Sequence, residues 1–208
     1  MESIPDAQQG PSGGWEGAWR EGRTPWDHGA PAPPLVEYLT NHPAPTGQIL
    51  VPGSGGGHDV HALASAAAHS AHVLGLDVAP TAVVRARARF GSDNVRFQLG
   101  DFLELPPDLH GRFDWLFEHT CLCAIDPARR RGYVHSAHQA LKPGAHLLGI
   151  FFLDVGERDG EGPPHPISDA ELDALFHGHF ETLRSWRPKQ VFESRQDGVE
   201  AMRLLRRS

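Results

Sequence analysis

Cysteine occurs twice in 208 residues, at Cys121 and Cys123, too rarely and too closely spaced for a disulfide framework. Long hydrophobic runs are missing too. The longest, LLGIFFL at 147–153, is far short of the roughly 20 residues a membrane span requires, and is expected to be a buried strand. The N-terminus, MESIPDAQQGPSGG, has neither a basic start nor an apolar stretch, which argues against a secretory signal. Basic charge is in deficit: the net charge is −7, and Lys and Arg are scattered except at ARRR (128–131) and the C-terminal RR. A polyanion such as nucleic acid is a poor partner for that distribution. These absences point to the cytoplasm, with neither a nucleic-acid nor a membrane partner. What is there, 39% hydrophobic and 22% charged residues, suits one globular core. No linker or repeat divides the chain, so residues 1–208 are expected to form a single domain.

PPLVEYLTN (33–41) predicts a short helix opened by prolines. Strand and helix patterns then alternate. Strands are expected at 48–51, 72–78, 95–100, 113–119 and 146–153, with helices at about 58–68, 80–90 and 127–141 between them. Such βαβ alternation implies a parallel sheet with helices on both faces. The tail departs from it, with a helix near 168–178 and last strands in ETLRSW and AMRLLRR that would close the edge as an antiparallel pair. Ligands of open sheets of this kind sit outside the carboxyl ends of the strands.

The first strand runs into VPGSGGGHD, where Gly53, Gly55 and Gly57 let backbone amides approach a ligand. The spacing is G-x-G-x-G, since His58 stands where a nicotinamide fingerprint would have its last glycine. Asp77 ends the next strand, 24 residues after Gly53, placed to accept from ribose hydroxyls. Asp101 and Phe102 follow the third strand, where the acid could accept from an adenine amino group and the ring cover its face. With Asp59 in the first turn of the following helix and Glu118 at the end of the fourth strand, four carboxylates surround one crevice. A pyrophosphate is disfavoured there, and a cationic cofactor such as S-adenosylmethionine fits. Asp59 has a plainer reading as helix N-terminal stabilisation, and Glu118 as a surface salt bridge.

WEGAWREGRTPWDHG (15–29) holds three of the five tryptophans. Trp15 and Trp19 fall at i, i+4 spacing, so they serve as a patch docking the N-terminal segment, as aromatic faces for a sulfonium, or as both; the cation–π contact is worth about 0.5–2 kcal/mol. Together with the glycine turn, FDWLFEHTCLCAIDPARRRGYV (113–134), LKPGAHLL (141–148) and GPPHPIS (162–168), this segment resembles the thiopurine methyltransferase family, which also includes thiol, thiocyanate and halide methyltransferases. The resemblance runs from about Trp15 to Trp186. It implies an α/β class I methyltransferase fold, Rossmann-like, with a mostly parallel seven-stranded sheet and helices on both faces. It also implies S-adenosylmethionine as donor, S-adenosylhomocysteine as product, and an N-terminal segment (1–33) capping the cofactor. On the matching positions, Trp15, Trp19 and Trp26 would contact the cofactor, Gly53 and Gly55 the methionine tail, Asp77 the ribose, and Asp101 with Phe102 the adenine. Glu118 takes a position usually held by aspartate. His119 stands where thiopurine enzymes tend to have arginine and halide enzymes tyrosine, and His165 follows G-P-P where an aromatic is common. These departures fall on the acceptor side.

The expected reaction is methyl transfer to a small soft nucleophile, a thiol or sulfide first; a halide, thiocyanate, or selenium or tellurium acceptor is the alternative. A nucleotide-dependent reductase and a cofactor-binding module without catalysis are remoter alternatives. A thiol attacks as thiolate, so His119 is the candidate base or thiolate holder, beside Glu118. A plainer role for His119 is to orient Glu118 or face solvent. Cys121 could line the acceptor pocket with His165, though both cysteines more often behave as small buried hydrophobes. Among the 14 histidines, pairs such as His58 and His61 arise by chance on helix faces, so no metal is expected. The RRR run reads as a solvated helix face, and the protein as a monomer.

Overall fold

The computed structural model describes residues 14–68, 70–153, 163–196 and 198–208. Its centre is β1 (Gly47–Pro52), where Ile49, Leu50 and Val51 are all buried in succession. Such a run needs cover on both faces, as a parallel strand inside a doubly covered sheet has. Leu50 packs into a cluster with Phe102, Tyr133 and Val134 on one face, while Ile49 and Val51 join Val60, Leu63 and Phe97 on the other.

The described residues form a seven-stranded sheet of order β3-β2-β1-β4-β5-β7-β6. β2 (Ala71–Asp77), β3 (Val95–Leu99), β4 (Phe113–His119) and β5 (Leu141–Phe152) continue the parallel pairing. β6 (Phe180–Trp186) and β7 (Glu200–Arg207) close the edge antiparallel, as the tail of the sequence predicts. Glu181–Ser185 on the edge strand β6 are exposed, with two charges among them, which discourages pairing with another chain.

The helices fall where the apolar spacing put them. α1 (Gly14–Glu21) carries the tryptophan pair, α2 (Pro33–Asn41) starts on its prolines, and α3 (His58–Ala66) and α4 (Pro80–Phe90) follow β1 and β2. α5 (Arg130–Ala140) starts later than the expected 127, because Asp126 accepts from Ala128 N and sets a separate 3-10 turn at Pro127–Arg129. α6 (Asp169–Phe176) is opened by a reciprocal Ser168–Glu171 capping box. β5 begins five residues before the expected 146, since Leu141 already pairs with Phe113 ahead of a register shift. The RRR expectation fails at Arg130, which is buried and donates to the carbonyls of His165 and Pro166. No helix among the described residues is long and apolar enough to cross a membrane.

The chain runs from β1 outward to β3 and then returns to place β4 on β1's other side. That reversal opens a crevice at the carboxyl ends of β1 and β4. Gly75 on β2 underlies it: a Cβ there would stand 2.7 Å from both the Phe97 ring and Ser54 Oγ of the glycine turn. Gly75→Ala is expected to lower stability by about 1–3 kcal/mol through overpacking, read from the urea midpoint; an unchanged midpoint would show that the turn is not held from below.

Candidate active site

The crevice is a cavity of about 670 Å³, within the size range of small-molecule sites. One end is built by the glycine turn and the tips of β2 and β3. Gly53 (φ 58°) and Gly55 (φ 49°) take left-handed backbone that favours glycine. A Cβ at Gly53 would lie 3.1 Å from the Cys121 side chain. Asp77 ties the turn to β2, its Oδ2 accepting from Gly55 N at 2.7 Å and its Oδ1 from Ala79 N at 2.9 Å. The Val78 backbone N–H also acts on this carboxyl, which with about four acceptor sites keeps capacity for a ligand hydroxyl. Asp101 follows β3 and accepts from Leu103 N at 2.8 Å, with Phe102 buried beside it against Tyr133. Burial pushes both carboxyls, Asp77 and Asp101, above the ordinary aspartate value, against the pull of their backbone donors.

The roof comes from α1. Glu16 accepts from Thr81 N at 2.9 Å and from Thr81 Oγ1 at 2.7 Å, placing a carboxylate at the positive end of α4. Trp19 is buried over Gly55, and Trp15 meets Trp26 edge to face at 5.1 Å. Residues 1–13 of the expected capping segment lie outside the described residues.

The other end of the cavity belongs to His119. Its Nδ1 lies 2.7 Å from Asp59 Oδ2, and since an ionised carboxylate only accepts, Nδ1 carries the proton. Asp59 also accepts from Ala32 N, so its orientation is fixed by two donors. His119 Nε2 is buried without a hydrogen-bond partner among the described residues. Burial disfavours its protonation, but the charges of Asp59, Glu200 and Glu118 outweigh that and raise it above the usual histidine value. Next in sequence, Thr120 adopts φ 61°, rare for a β-branched residue and worth about 1–3 kcal/mol of strain, and the chain then turns beneath Gly53. Cys121 and Cys123 both reach the cavity, yet burial raises the Cys121 thiol well above its ordinary value and takes Cys123 to about 12. Neither is a thiolate at neutral pH.

The expected site residues come together in this cavity with two exceptions. Glu118 does not line it. Successive strand residues face opposite ways, so while His119 turns toward α3, Glu118 turns toward α5 and is 1% exposed. Its Oε1 accepts from Cys121 N and Leu122 N and its Oε2 from the Tyr133 hydroxyl, which makes it the anchor of the 119–125 turn and rules out the surface salt bridge. His165 is also off the wall, held by its backbone to Cys123 O while Pro163 and Pro164 reach the cavity instead. Sequence reasoning missed the Asp59–His119 pair, whose signal was the adjacency of β1 and β4. It also missed the wall from the β6–β7 connection, where Phe192 stacks on His28 at 3.9 Å and Arg195 lines the crevice.

Residues 11–205 match the family described as Thiopurine S-methyltransferase. The chain belongs to the thiopurine S-methyltransferase family. It is 38% identical over 169 residues to "Probable thiol methyltransferase 2" of Arabidopsis thaliana, covering 79% of this chain and 72% of that protein. To "Thiocyanate methyltransferase 1" of Brassica oleracea it is 36% identical over 160 residues, covering 75% and 68%. A solved structure concerned with the conversion of a disulfide bond into a thioacetal group during echinomycin biosynthesis superposes with a TM-score of 0.71 at 26% identity, covering 88% of this chain and 85% of that one. Membership makes this chain a methyltransferase of class I, Rossmann-like fold, acting on a small-molecule acceptor. It also removes the reductase and the non-catalytic module.

Burial pushes the Glu118 carboxyl up to about 7, against the donors from Tyr133, Leu122 and Cys121 and the charge of His119. A carboxyl raised in the folded state contributes stability below its unfolded value near 4.5 and loses it as pH rises through about 7. Urea unfolding at pH 5, 6.5 and 8 is therefore expected to show a loss of up to about 3 kcal/mol from this group, and a shallower slope in Glu118→Gln. Parallel slopes would remove Glu118 as the cause.

Proposed function

We propose that the chain transfers the methyl group of S-adenosylmethionine to a small soft nucleophile, a thiol or sulfide first, releasing S-adenosylhomocysteine. The observation that carries this reading is the polarity of one cavity: Asp77 and Asp101 at one end, His119 at the other with an Nε2 that has no partner among the described residues, and indoles roofing it. The residues fit the donor. Close backbone approach at Gly53 and Gly55 suits its amino-acid tail, Asp77 its ribose, Asp101 and Phe102 its adenine, and Trp15, Trp19 and Trp26 a sulfonium. When bound, the donor supplies an electrophilic methyl group on a cationic sulfur.

This chain's residues supply position and surroundings rather than a covalent intermediate. Holding two reactants in line can contribute about 7–11 kcal/mol. Asp59 fixes the His119 ring so that Nε2 presents to the nucleophile, and Cys121 serves as a small apolar wall. Thiocyanate, halide, and selenium or tellurium acceptors are the second reading, favoured by the same Nε2, which can donate to an anion. The reading has the chain acting as a monomer in the cytoplasm, its N-terminal segment closing over the donor; the net charge of −7 supports the lack of a nucleic-acid partner.

Purified protein is expected to release S-adenosylhomocysteine with a thiol or hydrosulfide in a panel that includes thiocyanate, iodide, selenite and tellurite. No release with any of them would sink the reading. Asp77→Ala and the milder Asp77→Asn are expected to weaken donor binding at least about tenfold by calorimetry with an unchanged far-ultraviolet spectrum, losing charge-assisted hydrogen bonds. Unchanged affinity in both would contradict the ribose assignment.

A further inference from the structure

His119 is bonded to one carboxylate and lies within electrostatic reach of a second from another element of the fold. Asp59 reaches it from the first turn of α3, and Glu200, the first residue of β7, acts on it from across the sheet. The register explains how. His119 pairs with Ile150 and Ile150 with Met202, and Glu200 stands two residues before Met202, so alternation turns His119, Met202 and Glu200 to one face. Glu200 is 2% exposed; its Oε1 lies 3.4 Å from Arg195 Nε, while its Oε2 has no hydrogen-bond partner among the described residues.

The charges of this buried group decide its state. Burial pushes the Glu200 carboxyl above the ordinary glutamate value, and the charges of His119 and Arg195 pull it back toward the ionised form. With Asp59 and Glu200 ionised and Arg195 positive, the group is neutral only when His119 is cationic. A buried imbalance costs several kcal/mol that a balanced group avoids. Arg23 and Arg129 are further cations on the wall of the same cavity. His28, stacked on Phe192, is held below the ordinary histidine value by burial, then by Arg195 and His119. Glu118, on the opposite sheet face, adds to the negative side as it ionises, at about 7.

Resting on the methyl-transfer reading, we infer that His119 works as an imidazolium held by Asp59 and Glu200, that its Nε2–H receives an acceptor already ionised, and that Glu200 is the positioning residue fixing this state. The acceptor's lone pair forms the bond to the methyl carbon as the carbon–sulfonium bond breaks, its electron pair staying on the donor sulfur. The Nε2 proton does not move. An anion and a cation become two neutral molecules, and their attraction beforehand is stronger in a crevice poor in water. A thiol is then taken as the few per cent of thiolate present near pH 7.

Initial rates at saturating donor test this with thiocyanate, ionised at every working pH, and with an alkyl thiol. Thiocyanate turnover is expected to be level at low pH and to fall about tenfold per pH unit above the His119 midpoint, whereas the thiol gives a bell. Glu200→Gln is expected to move the falling limb about one pH unit lower, and Glu200→Asp to restore it. A thiocyanate rate that stays level or climbs with pH overturns the inference. The His119 ring titration, followed by NMR in donor-free protein and assigned by its loss in His119→Gln, reads the same state without turnover. Its midpoint is expected above about 6.5 in the natural sequence and about one unit lower in Glu200→Gln. A midpoint below 6.5, or one that Glu200→Gln leaves in place, overturns the inference. Failure of every acceptor would fell the functional reading alone, and the ring titration would still decide for or against His119 as a cation.

Discussion

The parallel pairing of β1 with both β2 and β4 is the constraint from which the site follows. Because the three strands run the same way, their carboxyl ends meet at one edge, and whatever follows each strand is delivered to one crevice. After β1 comes the glycine turn, at the end of β2 is Asp77, and at the end of β4 is His119. No one of these is a site by itself. The Gly55 N–H to Asp77 bond then locks the turn to the neighbouring strand tip, so the cradle and the carboxylate cannot drift apart.

A second consequence of strand geometry is the sorting of Glu118 from His119. Two adjacent polar residues at the end of a strand must point to opposite faces. One serves the cavity and the other serves the chain that bounds it. Glu118 spends its oxygens on Cys121 N, Leu122 N and the Tyr133 hydroxyl, and so holds the turn in which Thr120 keeps a left-handed backbone. A strained residue persists where its surroundings over-determine it, and here the buried carboxylate is that surrounding.

Most of the architecture was legible because its signals are local. Period-two and helical apolar spacing, prolines at helix starts and glycines after strands gave the order of elements and the antiparallel closing pair. The cavity lining of Gly53, Gly55, Asp77, Asp101 and Phe102 was legible for the same reason, each residue lying at or just after the end of a strand. What was hidden depends on which strands are neighbours. Asp59 read as a helix N-terminal acid because its partner stands 60 positions away. Arg130 looked solvated within RRR because nothing local tells that the 165–166 carbonyls need donors. Glu200 carried no signal at all, since its role depends on a register through β5 and β7.

Asp59 and Glu200, both hidden from the sequence, act on His119, and that arrangement has a physical logic. An arginine at position 119 would be a cation at any working pH and need no support. A histidine is a cation at neutral pH only if its surroundings hold it so. In the state inferred for His119, support comes from two acids, and Arg195 offsets the excess negative charge they bring. A histidine cation at this position therefore depends on acids from α3 and β7, two elements that share no sequence neighbourhood. A cavity end of this kind responds to pH where an arginine would not, and the Asp77 and Asp101 carboxyls stand at the opposite end.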